Sequence, residues 1–250
     1  MIGFESFFLA LMRYSAFIFL FPLFSHKGVP TYTKIGFAAL MALAVPSQAM
    51  EFDSLLSWSI IVIQEIAIGI LLAFVITLVF AIVRFAGQLV DVPMGFGMVS
   101  VFDPQTGTQV PIFSQYYYML ALLIFLAVDG HLWVLKAVAK SYEYIPVNSF
   151  FNINISFEAI TVLASQIFLI GLQIAAPVIG TILLTDVALG IVTRTVPQIN
   201  VFVLGFPIKI AVGLVLVILA VPAFVSAAAR LFGFDGILME FLIGIMQPSN

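Results

Sequence analysis

Several residues of this sequence have side chains that could do proton or metal chemistry. Asp129 and His131 stand together in VDGHLW, where a carboxylate and an imidazole could bind a metal or exchange a proton. Glu65, Asp186 and Arg194 lie inside or at the end of long apolar runs. Ionisable side chains at membrane depth are costly, and they commonly mark proton or substrate pathways. The chemistry to weigh is therefore acid–base catalysis, metal binding or ion-coupled transport.

The rest of the sequence gives little support for catalysis or a metal site. Asp129 and His131 have no third carboxylate or histidine nearby, and His26 lies too far away to complete a local motif. The chain has no cysteine, which excludes disulfides and thiolate-held metal clusters. The Gly95-Phe96-Gly97 run lacks the preceding strand and the third glycine of a dinucleotide site. We therefore expect no enzyme activity, no metal and no cofactor.

Composition places the chain among integral membrane proteins. Of its 250 residues, 63% are hydrophobic and 8% are charged, whereas ordinary soluble domains have about 25% charged residues. The formal net charge of -3 provides no basic surface for nucleic acid and no polybasic lipid anchor. The composition therefore predicts an all-α integral membrane-type protein without a nucleic-acid partner.

About six uneven hydrophobic helical segments are predicted, arranged as hairpins. They cover the N-terminal run to Phe24 and the stretches near 35–45, 54–83, 112–135, 159–192 and 201–229. The second segment ends before Pro46, so it is shorter than the roughly 20 residues that a span needs and should form one arm of a hairpin. If the third segment continues to residue 92, its length approaches ~60 Å, about twice the thickness of a hydrocarbon core. Part of it must then leave the membrane, bend or pack inside protein.

A non-helical loop is predicted near 95–111, with the sequence GFGMVSVFDPQTGTQVP. Two glycines flank its first phenylalanine, and Asp103-Pro104 and Gly107 disfavour a regular helix through its middle. We expect one continuous unit over 1–250, because no repeat and no soluble domain is visible. Its sections are an N-terminal hairpin region (1–53), long helices with the loop (54–158) and a C-terminal hairpin (159–250).

Two polar faces inside the apolar runs allow more than one interpretation. The first belongs to the third segment and is either a water-lined wall or subunit contact, or a helix end that emerges into solvent. The second belongs to the fifth segment, where close helix packing explains it. The first face consists of Thr77, Arg84, Gln88 and Asp91, and the second of Gln166, Gln173, Pro177 and Gly180.

Counting residues from the turns predicts two ion pairs. Asp186 and Lys209 are equidistant from the midpoint between Pro197 and Gln198 in the turn at 194–200, so they reach the same depth in an antiparallel hairpin. They should meet as a buried ion pair, because an unpaired charge in an apolar setting costs several kcal/mol. The same count around the turn at 46–53 matches Lys34 with Glu65.

The run TDVALGIVTRTVPQINVFVLGFPIKIAVG, residues 185–213, resembles the FliR family of flagellar biosynthesis proteins. QEIAIGILLAF at 64–74, the 95–111 loop and DGHLW at 129–133 resemble the same family, in the same order. Injectisome export-apparatus T subunits are related but share less of the FVLGFP sequence motif, which favours the flagellar family. The motif residues that carry the resemblance are Arg194, Pro197, Gln198, Asn200, Gly205, Phe206 and Pro207.

The resemblance implies a subunit of the flagellar type III export gate, located in the bacterial inner membrane at the flagellar basal body. The implied partners are the subunits FliP, FliQ and FlhB, which surround a conduit for unfolded flagellar substrates. Helical hairpins are implied to stack in a spiral hetero-oligomer, and the motif residues to take part in subunit packing. A protein of this family is not an enzyme.

The resemblance also implies that the 95–111 loop projects into the conduit and helps to plug it. Glycines would give the loop its turns, while apolar side chains would expel water from a constriction and yield to a passing chain. The residues assigned to this role are Gly95, Phe96, Gly97, Met98, Phe102, Asp103 and Pro104. The alternative for the segment is an ordinary interhelical loop.

Two other functions stay open at this point. One is an ion-coupled secondary transporter, in which Glu65, Asp186 and Arg194 would carry protons or bind substrate beside broken helices. No inverted repeat is visible to support it. The other is a structural subunit of a membrane complex that has no gating role.

Overall fold

The computed structural model describes residues 4–25, 28–44, 54–96, 111–147, 153–196 and 201–246. Within these ranges the chain forms eight α-helices and no β-strand, so the predicted all-α fold is confirmed. The helices are α1 (Phe4–Leu20), α2 (Thr31–Ala44), α3 (Leu55–Met94), α4 (Ile112–Ala127), α5 (Gly130–Tyr144), α6 (Ile153–Thr195), α7 (Val201–Phe232) and α8 (Ile237–Met246).

The membrane character of the chain is also confirmed. Three described stretches are long and apolar enough to cross a membrane: Leu55–Met94, Ala164–Thr195 and Val203–Met246. The pair α4 and α5 adds a fourth if the two helices count as one broken span. Helix α3 has 40 residues and is therefore about 60 Å long, as the sequence predicts.

The helices differ from the six predicted segments in two places. The segment predicted as continuous at 112–135 is broken between α4 and α5, where Asp129 has a left-handed backbone with φ 56°. A non-glycine residue in that conformation cannot continue a right-handed helix. The prediction also missed α8, a ten-residue apolar helix that follows Gly233 and Gly236. The sequence did not indicate this helix because ten residues are too few for a membrane span and because turn-forming residues precede it.

The chain divides into two compact units. Unit 1 comprises residues 1–79, 126–163 and 232–250, and unit 2 comprises 80–125 and 164–231. In unit 1, α1 and α2 pack together through an aromatic chain in which Phe21 is followed by Phe24 and Phe37, with ring centroids 6.0 and 5.3 Å apart. This contact forms an N-terminal hairpin of the kind that the short second segment predicts.

Unit 2 packs the end of α3 against α4, α6 and α7. Phe85 of α3 meets Phe168 of α6 at a ring-centroid distance of 5.1 Å, and Tyr117 of α4 stacks on Phe224 of α7 at 4.7 Å. An added Cβ at Gly213 would collide with the Met94 side chain, so the glycine leaves room for the last residue of α3. These contacts place the end of α3 on the middle of α7.

Candidate functional site

The start of the 95–111 loop lies on the helix that carries the FVLGFP motif. Gly95 has φ +90°, a conformation that side-chain-bearing residues rarely adopt. A Cβ at Gly95 would lie 2.8 Å from Cδ1 of Phe206 in α7, which is too close for two carbon atoms. The glycine is therefore needed twice, for the turn that ends α3 and for the contact with Phe206.

The two ends of the loop meet through their aromatic rings. Phe96, which follows the turn at Gly95, contacts Phe113 in the first turn of α4 with ring centroids 5.6 Å apart and planes at 68°. Phe113 is 5% exposed and also contacts Tyr117. We call Asp91, Gly95, Phe96, Phe113, Ser114 and Phe206 the loop stem.

Asp91 joins the two helices that flank the loop. Its Oδ1 accepts a hydrogen bond from the backbone N–H of Phe113 at 3.0 Å, and its Oδ2 accepts one from Ser114 at 3.2 Å. Asp91 is 3% exposed. This burial excludes a water-lined wall and a helix end in solvent for Asp91, while a subunit contact along the rest of this face stays a prediction. Asp91 caps α4 from α3.

Among the other members of the predicted polar faces, Gln166 is half-buried and the rest are exposed. Arg84 places its guanidinium 3.9 Å from the ring centroid of Tyr118, while Thr77 donates to the carbonyl oxygen of Ala73. The face on α6 is also open, since a Cβ at Gly180 would meet nothing within 4 Å. At Gly180, therefore, the described part of the chain does not provide the packing expected for that face.

Glu65 is paired with Arg13 in a fully buried network of unit 1. Arg13 donates from Nε to Glu65 Oε2 at 2.7 Å and from Nη2 to Oε1 at 3.0 Å. Its Nη1 donates to Ser141 Oγ at 3.0 Å, and Nη2 also reaches the carbonyl oxygen of Ile145 at 3.1 Å. The Tyr142 ring lies 3.7 Å from the guanidinium carbon, and its hydroxyl donates to Glu65 Oε2 at 2.8 Å. Arg13 and Glu65 are 0% and 1% exposed.

This geometry explains how two charges can be held in an apolar interior. A bidentate arginine–carboxylate pair combines charge with fixed orientation. The additional hydrogen bonds and the aromatic face add the contacts that a buried pair needs in order to offset its lost hydration. The network ties α1, α3 and α5 together.

The predicted Lys34–Glu65 pair is wrong. Lys34 lies over the ring of Phe19 instead, with its Nζ 5.5 Å from the centroid. Glu65 pairs with Arg13 of α1 because Gly69, one turn further along α3, lets α1 and α3 approach closely. A Cβ at Gly69 would collide with the carbonyl oxygen of Arg13 and lie 3.0 Å from the Ala16 side chain.

The predicted pair of Asp186 with Lys209 is present, as the equal-depth count requires. The Lys209 Nζ and the Asp186 Oδ1 form an ion pair between α6 and α7. It is less buried than predicted, because the side chains of Lys209 and Asp186 are 20% and 40% exposed within this chain. Lys209 also lies 6.0 Å from the ring centroid of Phe206, at the loop stem.

We expect removal of one partner of this pair to destabilise the α6–α7 hairpin moderately. Asp186→Ala should lower the free energy of unfolding by about 1–2 kcal/mol, between the values for exposed and buried pairs. The double variant Asp186→Leu/Lys209→Met should recover most of that loss, because no unpaired charge is left. Thermal unfolding of the purified protein in detergent measures both. Equal losses in the single and double variants would contradict the pairing energy assigned here.

The motif residues have separate locations. Arg194 is exposed in the last turn of α6, Gly205 is buried, and Pro207 is exposed inside α7. The motif's role in subunit packing stays a prediction. Several predicted site residues lie outside the described residues, and these are Gly97, Met98, Phe102, Asp103, Pro104, Pro197, Gln198 and Asn200.

Asp129 and His131 do not form a metal site with the rest of the described chain. Asp129 occupies the break before α5, and its backbone carbonyl accepts from Leu132 at 2.9 Å. No group of three histidine or acidic side chains suited to a metal ion occurs among the residues that the structure describes. The role of Asp129 visible here is therefore conformational.

Sequence reasoning did not assign Arg13, Ser141 and Tyr142 to any site. Arg13 did give a signal, since it is a lone cation in the middle of an otherwise apolar first helix. Such a residue requires a buried acidic partner. Nothing comparable marks Ser141 or Tyr142, whose types are ordinary near a helix end.

Comparison with known proteins identifies the family. The sequence profile described as bacterial export proteins, family 1, matches residues 4–234. The flagellar biosynthetic protein FliR of Bacillus subtilis (strain 168) is 35% identical over 255 residues, which cover 98% of this chain and 97% of that protein. The FliR of Escherichia coli (strain K12) is 33% identical over 231 residues, 90% of this chain and 88% of that protein. The surface presentation of antigens protein SpaR of Shigella flexneri is 31% identical over 148 residues, 58% of this chain and 56% of that protein.

The profile covers nearly all the described helices, from the start of α1 to the residues just after α7. The resemblance carried by residues 185–213 is therefore confirmed by matches over almost the whole length of the chain. On these two grounds, the chain belongs to the bacterial export proteins of family 1 and, within them, to the FliR family.

Proposed function

We propose that the chain, over residues 1–250, is the R-type subunit of a flagellar type III export gate in the bacterial inner membrane, at the flagellar basal body. It forms a conduit for unfolded flagellar substrates together with FliP, FliQ and FlhB. The FliR relatives, which carry the word flagellar in their names and match over most of their length, support this assignment. SpaR matches a smaller share of the chain, which favours the flagellar system over a related injectisome. We assign the subunit no catalytic role.

The observation that carries the proposal is the loop stem at the end of α3. A 40-residue apolar helix stops at Met94, the backbone turns at Gly95, and the two loop ends are held together by Phe96 and Phe113. Non-helical backbone at membrane depth is tolerated only where protein buries it or a cavity receives it. We propose that this stem supports a loop whose residues enter the conduit.

The sequence of the loop suits a plug. Phe96, Met98 and Phe102 provide apolar side chains that expel water and so block ions. Gly95 and Gly97 provide turns, and methionine adapts its shape to a passing chain. The plug therefore closes the conduit to ions while it yields to an unfolded polypeptide.

Outward-facing surfaces of α6 and α7 support a role in assembly. Exposed large side chains follow both helices, among them Leu183, Leu184, Leu214 and Ile218. The open small-residue face around Gly180 permits close approach of another helix. We propose that these surfaces pack against neighbouring subunits in a spiral hetero-oligomer, with Gly205 and Pro207 shaping the start of α7.

The charged residues give little support to ion-coupled transport. Glu65 is paired with Arg13 and is only 1% exposed, and Asp186 is paired with Lys209. Arg194 lies exposed at the end of α6. A transporter needs a carboxylate that can exchange protons with water, whereas Glu65 is buried and the more exposed Asp186 already forms an ion pair with Lys209.

The proposal predicts a leak when the plug is removed. Substituting glycine for Phe96, Met98 and Phe102 together should make assembled complexes permeable to small ions, with membrane conductance in cells raised at least several-fold. Phe4→Gly is the matched control, because Phe4 is 79% exposed and distant in sequence from the loop. Normal conductance in a triple variant that assembles at the wild-type level would contradict a sealing role and leave a structural subunit without gating.

A further inference from the structure

Helix α4 has no N-cap in its own sequence. It begins at Ile112, so the N-cap position is Pro111, which has no polar side chain. The N–H groups of the first turn of a helix need acceptors, and an N-cap side chain normally accepts from the second and third helical residues. In α4 those residues are Phe113 and Ser114, both buried. An acceptor must therefore come from elsewhere.

Asp91 supplies that acceptor from the preceding helix. Each of its two carboxylate oxygens takes one N–H, at 3.0 and 3.2 Å, from Phe113 and Ser114. The negative charge also lies at the end of α4 where the helix dipole is positive. A usual N-cap side chain accepts from N–H groups two or three residues further along the chain. Asp91 instead accepts from residues 22 and 23 positions further along, on the other side of the 95–111 loop.

The backbone of α3 is shaped to receive the start of α4 at the same place. Gly87 lies one turn before Asp91, and a Cβ there would lie 2.6 Å from the Phe113 carbonyl oxygen and closer still to the backbone of Ser114. Backbone cannot yield to such a contact as a flexible side chain can. Gly87 and Asp91 thus form one seat on α3, with space for the first turn of α4 and hydrogen bonds for its free N–H groups.

We infer that Asp91 is the positioning residue of the 95–111 loop, in that it fixes from α3 the point at which the chain becomes helical again after the loop. This inference rests on the proposed function, because it matters for gating only if the loop is a plug. The turn after α3 is made by Gly95 against Phe206, and the start of α4 is held by Asp91.

The test uses the full complex in cells and in detergent. Asp91→Ala should raise hydrogen exchange in the peptide that contains Phe113 and Ser114 by about five- to tenfold, the factor expected for loss of one helix N-cap. It should also raise small-ion conductance toward that of the variant with glycines at Phe96, Met98 and Phe102. Gln88→Ala, an exposed change on the same helix, is the control and should alter neither quantity.

A second variant separates positioning from any other role of the carboxylate. Pro111→Asp places a local N-cap on α4, so Asp91→Ala/Pro111→Asp should restore both slow exchange and the ionic seal. If Asp91→Ala fails to accumulate, the double variant should restore accumulation for the same reason. Failure of that rescue, or a double variant that leaks although slow exchange has returned, overturns the inference.

The outcomes also distinguish this inference from the proposed function. If the triple loop variant leaks and an assembled Asp91→Ala does not, Asp91 is not the positioning residue, while the plug stands. If neither leaks, the plug itself is wrong and the inference falls with it. A leak in both, repaired by Pro111→Asp only in the Asp91→Ala background, supports both.

Discussion

Replacing Arg13 by methionine is expected to lower the free energy of unfolding of unit 1 by about 3–5 kcal/mol, the range measured when one partner of a buried ion pair is removed. Methionine keeps the apolar stem but removes the charge, so the Glu65 carboxyl group is left buried at 1% exposure without its cation and keeps the hydrogen bond from the Tyr142 hydroxyl. Domains are stable by only about 5–15 kcal/mol. We therefore expect the variant subunit to accumulate poorly in membranes, which immunoblotting of membrane fractions measures directly.

The control for this prediction is the removal of an exposed arginine. Arg230 is exposed on α7 and its Nε donates to the Ser226 carbonyl oxygen at 3.4 Å. Arg230→Met removes the same charge and adds the same side chain, yet it should change the unfolding free energy by less than about 0.5 kcal/mol. A comparable loss in both variants would mean that net charge, and not the buried network, sets stability.

A compensated variant tests whether the penalty comes from the orphaned charge. Arg13→Met/Glu65→Leu/Tyr142→Phe removes the cation, the carboxylate and the hydroxyl that depends on it. Buried ion pairs replaced by apolar residues of similar volume are often neutral or stabilising. We expect the triple variant to accumulate more than Arg13→Met alone, although the Ile145 carbonyl still loses its donor. If the triple variant were worse, packing of the guanidinium on Tyr142 would be the dominant contribution.

The two ion pairs show what a sequence of this class reveals about its own contacts. Asp186 and Lys209 belong to consecutive helices joined by a short turn, so their distances from that turn fix their relative depth. Glu65 pairs with Arg13, 52 residues away in sequence, because α1 also packs against α3. Depth counting considers only the nearest hairpin and cannot find such a partner. The sequence shows Arg13 as an isolated cation on α1, but it does not show that Glu65 is its partner.

The fold class was predictable for a related reason. Apolar runs and their Pro and Gly boundaries locate helices well, and the length of α3 followed from its uninterrupted apolar sequence. The break at Asp129 was not predictable, because Asp-Gly within an apolar run is compatible with a continuous helix until tertiary contacts favour the left-handed turn. The cap supplied by Asp91 was hidden in the same way, since helical periodicity places a carboxylate on a face without revealing what packs on it.

Substituting leucine for Gly69 is expected to have an effect of similar size to the loss of Arg13, through geometry instead of charge. A Cβ at Gly69 would lie 3.0 Å from the Ala16 Cβ and 3.2 Å from the Arg13 carbonyl carbon, with the carbonyl oxygen closer still. Part of this obstacle is backbone, so α1 must move away from α3. Because Glu65 lies one turn away on the same helix, that movement pulls the Arg13 guanidinium from its carboxylate.

We expect Gly69→Leu to lower the free energy of unfolding by about 3 kcal/mol or more, since overpacking alone costs about 1–3 kcal/mol and weakening of the buried pair adds to it. Gly69→Ala should show a smaller loss in the same direction. The matched control is Gly36→Ala on α2, where a Cβ would meet nothing within 4 Å. Alanine there should be neutral or stabilising by up to about 1 kcal/mol, because it favours helix more than glycine does. Thermal unfolding in detergent ranks the three variants, and an equal response of Gly69→Ala and Gly36→Ala would show that close approach of α1 and α3 is not what seats Arg13 on Glu65.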